Sequence, residues 1–323
     1  MGVIIMASIT VVASKEFSDI IRSKRFIVLL SVFVLLMVAS VANVYISATQ
    51  GVAAPAAMPR GFLLSVASSL TNIMVFFAPI LGISLGVDAV SGEREKGTLK
   101  MVLVQPVFRD TFINGKFLGT IAAISLAVCI AFLVNIAGSI IALGITPTGE
   151  DAARLLLFLV FSIIYTLAYY GIAVLISTVS KRTAVSVIAS IMIWTIFTFI
   201  ISIVASMIAF STVSIRIQPG QNITITPELR EELMRRAAII ETANMFTPNY
   251  QFSRAANYIL RAFVRVGPPA PASPSRSPQQ PPQRAVSIAE SLVSAWPNIL
   301  VLALIAAFTL IATYMIFVRQ ETR

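Results

Sequence analysis

Apolar residues in this chain run in long unbroken blocks rather than in alternation. Stretches free of Asp, Glu, Lys and Arg lie at 26–59, 61–87, 117–149, 155–180, 183–215 and 291–318. Each exceeds the roughly 20 apolar residues that carry a helix across a bilayer core about 30 Å thick, and none has room for two spans and a turn. In lipid the backbone must satisfy its own hydrogen bonds, which selects helices. The short alternating segments of a β-barrel are absent from these blocks. The pattern predicts an all-α membrane protein with six transmembrane helices, at about 26–47, 61–86, 117–143, 154–179, 184–210 and 297–318.

Ahead of the first span the pattern changes. The first 14 residues are uncharged but too short to cross, and they lack the basic start and small-residue cleavage site of a signal peptide. Over 9–25, Ile9, Val12, Ala13, Phe17, Ile20 and Ile21 fall on one helical face, with Lys15, Asp19 and Arg22 opposite. Residues 1–25 are therefore expected to form an amphipathic helix lying in the membrane interface. Spans one to five occupy 26–210, interrupted by a polar loop at 87–116. A region at 211–296 precedes the sixth span and tail at 297–323. Within that region Thr226 and Pro227 suit the start of a helix over 227–246, with Glu231–Arg235 and Glu232–Arg236 spaced as i,i+4 pairs. A second helix is expected over 249–265. Residues 267–283 hold seven prolines and read as an extended spacer, with a PxxP docking segment as the rarer alternative.

Composition agrees with the blocks. The chain is 57% apolar and 12% charged, with mean hydropathy +0.90, outside the range of soluble domains. Histidine is absent, which removes histidine-based nucleophile systems, zinc sites and proton relays. Cys129 is the single cysteine, so no disulfide forms within the chain. The net charge of +10 follows the membrane and does not require nucleic acid. With both termini in the cytoplasm, short inner segments hold 13 Lys and Arg and short outer loops hold 2, Arg60 and Arg154. The positive-inside rule selects that orientation and makes 211–296 extracytoplasmic. Asn222-Ile223-Thr224 is then an external glycosylation triplet.

No Asp, Glu, Lys or Arg lies well inside a span, which argues against proton- or ion-coupled transport. Milder polar groups do occur there: Asn72 and Pro79 in the second span, Asn135 in the third, and Ser162, Tyr165, Thr166 and Tyr169 on one face of the fourth. Ser186, Ser190, Trp194, Thr198, Ser202 and Ser206 recur every four residues in the fifth. Asn72, Tyr165, Tyr169, Trp194, Thr198 and Ser202 are candidates for a translocation path. Helix packing through small residues and interhelical hydrogen bonds is the commoner reason for such stripes.

The loop after the second span reads Asp88-Ala89-Val90-Ser91-Gly92-Glu93-Arg94-Glu95-Lys96-Gly97-Thr98-Leu99-Lys100, followed by Gln105-Pro106, Arg109 and Gly115-Lys116. It is a short charged element that either docks on a soluble partner or lies on headgroups. This pattern resembles the ABC-2 type permease family, the membrane subunits of ATP-binding-cassette exporters. Lys15-Glu16-Phe17 with Ile21-Arg22-Ser23-Lys24-Arg25-Phe26, the six-span order and Thr247-Pro248-Asn249-Tyr250 before the last span are similar to the same family. The Pro-rich insert departs from it.

The resemblance implies a permease subunit in a prokaryotic plasma membrane, paired with a second permease copy, identical or related. Each copy would sit on a cytoplasmic ATP-binding-cassette ATPase that holds the ATP and Mg; no cofactor would be bound by this chain. It also implies that Asp88, Glu93, Arg94, Glu95, Gly97 and Thr98 contact that ATPase, with Lys181 and Arg182 at a second, shorter contact. The chain carries no G-x-x-x-x-G-K-[ST] phosphate loop, since Gly115-Lys116 is preceded by Asp110 and followed by Phe117. No nucleophile–base pair points to an enzyme. An ATP-independent carrier or channel, or a membrane anchor of a larger complex, is the competing reading.

Overall fold

The computed structural model describes residues 9–49, 62–97, 109–144, 147–212, 227–260, 263–265 and 283–319. In chain order the helices are α1 (Ile9–Arg22), α2 (Lys24–Thr49), α3 (Phe62–Gly86), α4 (Ser91–Glu95), α5 (Arg109–Leu143), α6 (Gly149–Val179), α7 (Thr183–Thr195), a π-helical turn (Ile196–Ile200), α8 (Ile201–Thr212), α9 (Pro227–Asn244), α10 (Pro248–Leu260) and α11 (Ile288–Arg319). Strands β1 (Phe263–Arg265) and β2 (Gln283–Ala285) pair antiparallel. Among the described residues, six helical stretches are long and apolar enough to cross a membrane: those of α2, α3, α5, α6, α7 through α8, and α11.

The spans match the charge-free blocks, but the helices extend past them. α5 begins at Arg109, so Asp110 and Lys116 ride on its first turns. α6 begins at Gly149, where Thr148 and Asp151 form a capping box: Thr148 Oγ1 accepts from the Asp151 N–H and Asp151 Oδ2 accepts from the Thr148 N–H. α11 begins at Ile288 and runs through Pro297. The helix expected over 249–265 stops at Leu260, and 263–265 is strand, as is Gln283 at the end of the Pro-rich stretch. Phe263 pairs with Ala285 and Arg265 with Gln283 in that short antiparallel ladder.

α6 is the central rod. A Cβ on Gly82 would lie 2.5 Å from the Thr166 carbonyl oxygen, and one on Gly86 would lie 2.7 Å from Ala173 Cβ. Two glycines four apart thus let α3 press against α6. Gly171 of α6 gives the same close approach to Thr309 of α11. Phe33 of α2 stacks on Phe77 of α3 at 4.3 Å between centroids, and Phe112 of α5 on Phe317 of α11 at 6.0 Å. Asn135 of α5 donates to the Met37 carbonyl of α2 at 3.3 Å.

α1 does not lie on lipid alone. Its apolar side packs on the first turns of α5, where a Cβ on Gly115 would sit 2.6 Å from Val12 and one on Gly119 would sit 2.7 Å from the Ala13 carbonyl oxygen. Lys15, Asp19 and Arg22 remain on the exposed side, as the pattern requires. This end of the bundle also holds the starts of α2, α5 and α7 and the ends of α3, α6 and α11, and is called basal below. The opposite end is distal. There α10, expected outside the membrane, is buried between α3, α6 and α11 through Asn249, Phe252, Ala255, Ala256 and Ile259. It runs antiparallel to α6.

Candidate functional site

Two polar constellations stand out, one at the basal end and one between α10 and the spans. At the basal end α4 is the hub. It is only one turn long, so its orphan backbone groups need outside partners. Ser177 of α6 supplies them: its Oγ accepts from the Val90 N–H at 3.1 Å and the Ser91 N–H at 3.0 Å, and it donates to Ser91 Oγ. Glu93, Arg94 and Glu95 each address a different element. Glu93 approaches Lys116 of α5 at 3.8 Å, and Lys116 is also held by Glu16 of α1 at 3.0 Å. Arg94 donates to the carbonyls of Ser180 at 2.7 Å and Thr178 at 3.1 Å, closing the C-terminus of α6. Glu95 accepts from the Thr183 N–H at 3.1 Å, serving as the cap of α7.

Lys116 is the buried member of this clamp, with its side chain 8% exposed and its ammonium 5.6 Å from the Phe112 ring centre. Asp88 joins α2 to the same region through a two-pronged pairing with Arg25 at 3.0 and 3.1 Å. Hydrogen bonds from the side chain and backbone of Thr183, with help from the Arg182 charge, hold the Glu95 carboxyl below its usual range. Glu95 lies beyond the end of α3, outside the apolar spans.

Glu93, Arg94 and Glu95 therefore turn toward their own bundle. The exposed tip beyond them is Lys96 and Gly97, where Gly97 adopts φ +71° to reverse the chain. Lys181 and Arg182 are exposed beside that tip. Thr98 lies outside the described residues. Asp88, Glu93, Arg94, Glu95, Gly97, Lys181 and Arg182, scattered over nearly a hundred positions, thus meet at one end.

Of the candidate path residues, Tyr165, Tyr169 and Thr198 come together, and the group that joins them is Asn249 of α10. Tyr165 and Tyr169 both donate to Asn249 Oδ1, Tyr165 at 2.9 Å, and Asn249 Nδ2 donates to Thr198 Oγ1 at 2.7 Å. Phe252 of α10 stacks on Tyr165 with centroids 4.4 Å apart. Ser202 pairs instead with Asn244 Oδ1 at 2.7 Å. Trp194 contacts Phe199 edge-on at 6.0 Å and stands apart from the hub. Asn72 lies on the exposed side of α3 with Phe76 and Ile80. Ser162 and Thr166 bond carbonyls of their own helix. Sequence reasoning placed the two tyrosines on one face but gave no reason to bring α10 to them.

Sequence reasoning also missed Arg154, counted there as a loop charge. Its side chain is 0% exposed. Nη1 donates to the Ile259 carbonyl at 2.8 Å and to Ser291 Oγ at 2.9 Å. Nη2 donates to Glu150 at 2.8 Å and to the Val286 carbonyl. One guanidinium thus binds the start of α6 to the end of α10 and the start of α11. Its signal in the sequence is Glu150, four residues earlier, beside an otherwise apolar run.

Residues 10–322 match the family described as ABC-2 family transporter protein. The chain belongs to that family. With six apolar spans, this ABC-2 family member is a multi-pass membrane protein. It is similar to the "Probable ABC transporter permease protein NosY" of Pseudomonas aeruginosa, 32% identical over 127 residues, covering 39% of this chain and 44% of that protein. The protein of the same name from Stutzerimonas stutzeri is 31% identical over 121 residues, covering 38% and 41%. The matched stretch thus spans less than half the length of either relative.

Proposed function

We propose that this chain is the permease subunit of an ATP-driven ABC exporter, with hydrolysis performed by a separate cytoplasmic ATPase. The observation that carries the reading is the basal clamp, in which a single turn of helix reaches α5, α6 and α7 directly and α1 through Lys116, while Asp88 just ahead of it holds α2. A push on Lys96–Gly97 reaches five elements at once through Glu93, Arg94, Glu95 and Asp88. Such wiring suits an element that receives motion from outside the membrane; a headgroup-resting loop needs none of it. The positive-inside bias puts this end in the cytoplasm of a prokaryotic cell. Glu93, Arg94 and Glu95 then act as transmitters, while Lys96, Gly97, Lys181 and Arg182 offer the surface that the ATPase touches.

The chain functions beside a second permease copy. Asn72 supports this: its carboxamide lies about 21 Å along α3 from Gly86 at 1.5 Å per residue, on the exposed side of the span. A lone amide facing hydrocarbon is costly, and a facing helix of another copy relieves it. Phe76 on the same face stacks on Phe199 at 6.2 Å, extending the surface to the π-helical turn.

Purification from the native membrane in mild detergent tests the reading. A stoichiometric ATP-binding-cassette chain should co-purify, with vanadate-sensitive ATP hydrolysis. No such chain, together with ATP-independent flux in liposomes, would replace the exporter with a facilitator.

A further inference from the structure

Three breaks in regular helix meet at one depth. Pro79 in α3 has no N–H, so the carbonyl of Val75, four residues earlier, loses its helical donor. The π-helical turn Ile196–Ile200 interrupts the fifth span. The third break is the inner end of α10, where Thr247 caps the chain and Pro248 opens the helix. All three are stitched to the same side chains. Tyr165 Oη lies 2.9 Å from the Val75 carbonyl and 2.9 Å from Asn249 Oδ1, and Thr198, in the π-helical turn, accepts from Asn249. From Ser180 to Tyr165, and from Thr183 to Thr198, the rise is about 22 Å, so the hub lies inside a membrane core about 30 Å thick.

The geometry points to Asn249 as the latch of a plug: its carboxamide holds the inner end of α10 shut between α3, α6 and the fifth span. The inference rests on the permease reading, because a plug presupposes a path to close. Its basis is that two sets of partners already exist for the same hydroxyls. Tyr165 carries one hydroxyl proton and faces two acceptors at equal distance. With α10 in place it serves Asn249; with α10 withdrawn it serves the Val75 carbonyl that Pro79 leaves open. Tyr169 and Thr198 likewise flank the same Asn249 carboxamide, so Thr198 is the second partner for Tyr169 once Asn249 leaves. Withdrawal of α10 therefore orphans neither tyrosine, and Asn249 moves outward toward water. An element with two satisfied arrangements is bistable, which a hydrophobic brace would not be. α6 joins this hub to the clamp, since Arg94 grips its other end 15 residues away from Tyr165.

Hydrogen exchange of the full chain in lipid nanodiscs, without any ATPase, tests the latch. Asn249→Ala should raise exchange across 251–260 at least tenfold and leave 155–175 of α6 within twofold. Asn249→Leu, which keeps the side-chain volume and leaves Thr198 in place for Tyr169, should raise 251–260 about threefold, and it carries the test alone if Asn249→Ala does not fold. Unchanged exchange at 251–260 in both variants would overturn the latch. So would an equal rise in α6 and α10, the mark of a merely structural residue. Adding MgATP to the complex with a co-purified ATPase tests the permease reading separately: exchange at 251–260 responds only if that reading holds.

Discussion

Replacing Arg154 with Met should loosen the distal end more than any other single change there. Met keeps most of the side-chain volume and removes the guanidinium. Glu150 is half exposed and rehydrates, so its loss of partner costs little. The cost comes from the Ile259 and Val286 carbonyls and the Ser291 hydroxyl, which stay buried without their donor. At about 1–3 kcal/mol for each such group, offset by the gain from burying an apolar side chain in place of a charge, the net loss is about 3 kcal/mol. In a folded domain of this scale that lowers Tm by roughly 6–12 °C. Thermal unfolding in detergent, followed by near-UV circular dichroism, measures it. Arg154→Lys keeps the charge but lacks the planar fork, and should fall about midway. Glu150→Gln should shift Tm by no more than about 1 °C. An Arg154→Met protein within about 2 °C of the parent would refute the reasoning, because it would mean that the two carbonyls find other donors.

Gly119→Leu should push α1 off α5, because the new side chain meets the Ala13 carbonyl and the Phe17 amide, and overpacking of this kind costs about 1–3 kcal/mol; faster proteolysis within 9–22 of detergent-solubilised protein reads it out. Lys116→Met and Glu16→Gln should be coupled by about 1–2 kcal/mol in a double-mutant cycle for α1 docking, since the pair is largely buried. Glu95 has a lowered folded pKa relative to 4.5, so its contribution is fully present above about pH 4.5 and is lost as the pH falls through the lowered value. Between pH 6 and 8 amide protection at the start of α7 should be flat once corrected for intrinsic exchange, and Glu95→Gln should lower it across that range.

The spans were legible because hydrocarbon tolerates few charges, so six gaps in the charge pattern mark them directly. The exposed side of α1 was legible for a similar reason: Lys15, Asp19 and Arg22 can only face outward. α10 was not. Its sequence PNYQFSRAANYIL mixes Asn, Gln and Arg with aromatics, and such a helix reads as belonging outside the membrane. It is buried because Asn249 finds Tyr165, Tyr169 and Thr198, partners 51 to 84 positions away. Periodicity within one segment carries no information about such pairings. Arg154 was missed for the same reason: Glu150 is its one local partner, and the Ile259 and Val286 carbonyls and Ser291 lie 105 to 137 positions away. Family likeness drew attention to the loop residues Asp88 and Glu93 to Glu95, but not to the directions in which they point. Glu93, Arg94 and Glu95 look like a surface motif in sequence and are spent on the bundle's own helix ends.

Site-specific photo-crosslinking from Lys96 in the complex purified from its native membrane tests the central claim most directly. Lys96 stands at the exposed tip of the clamp, and Arg230, exposed on α9 at the opposite end, is the control position. The account predicts that a crosslinker at 96 captures the ATP-binding-cassette chain and that one at 230 does not. Capture from 230, or an ATPase bound in the complex that 96 never reaches, would contradict it.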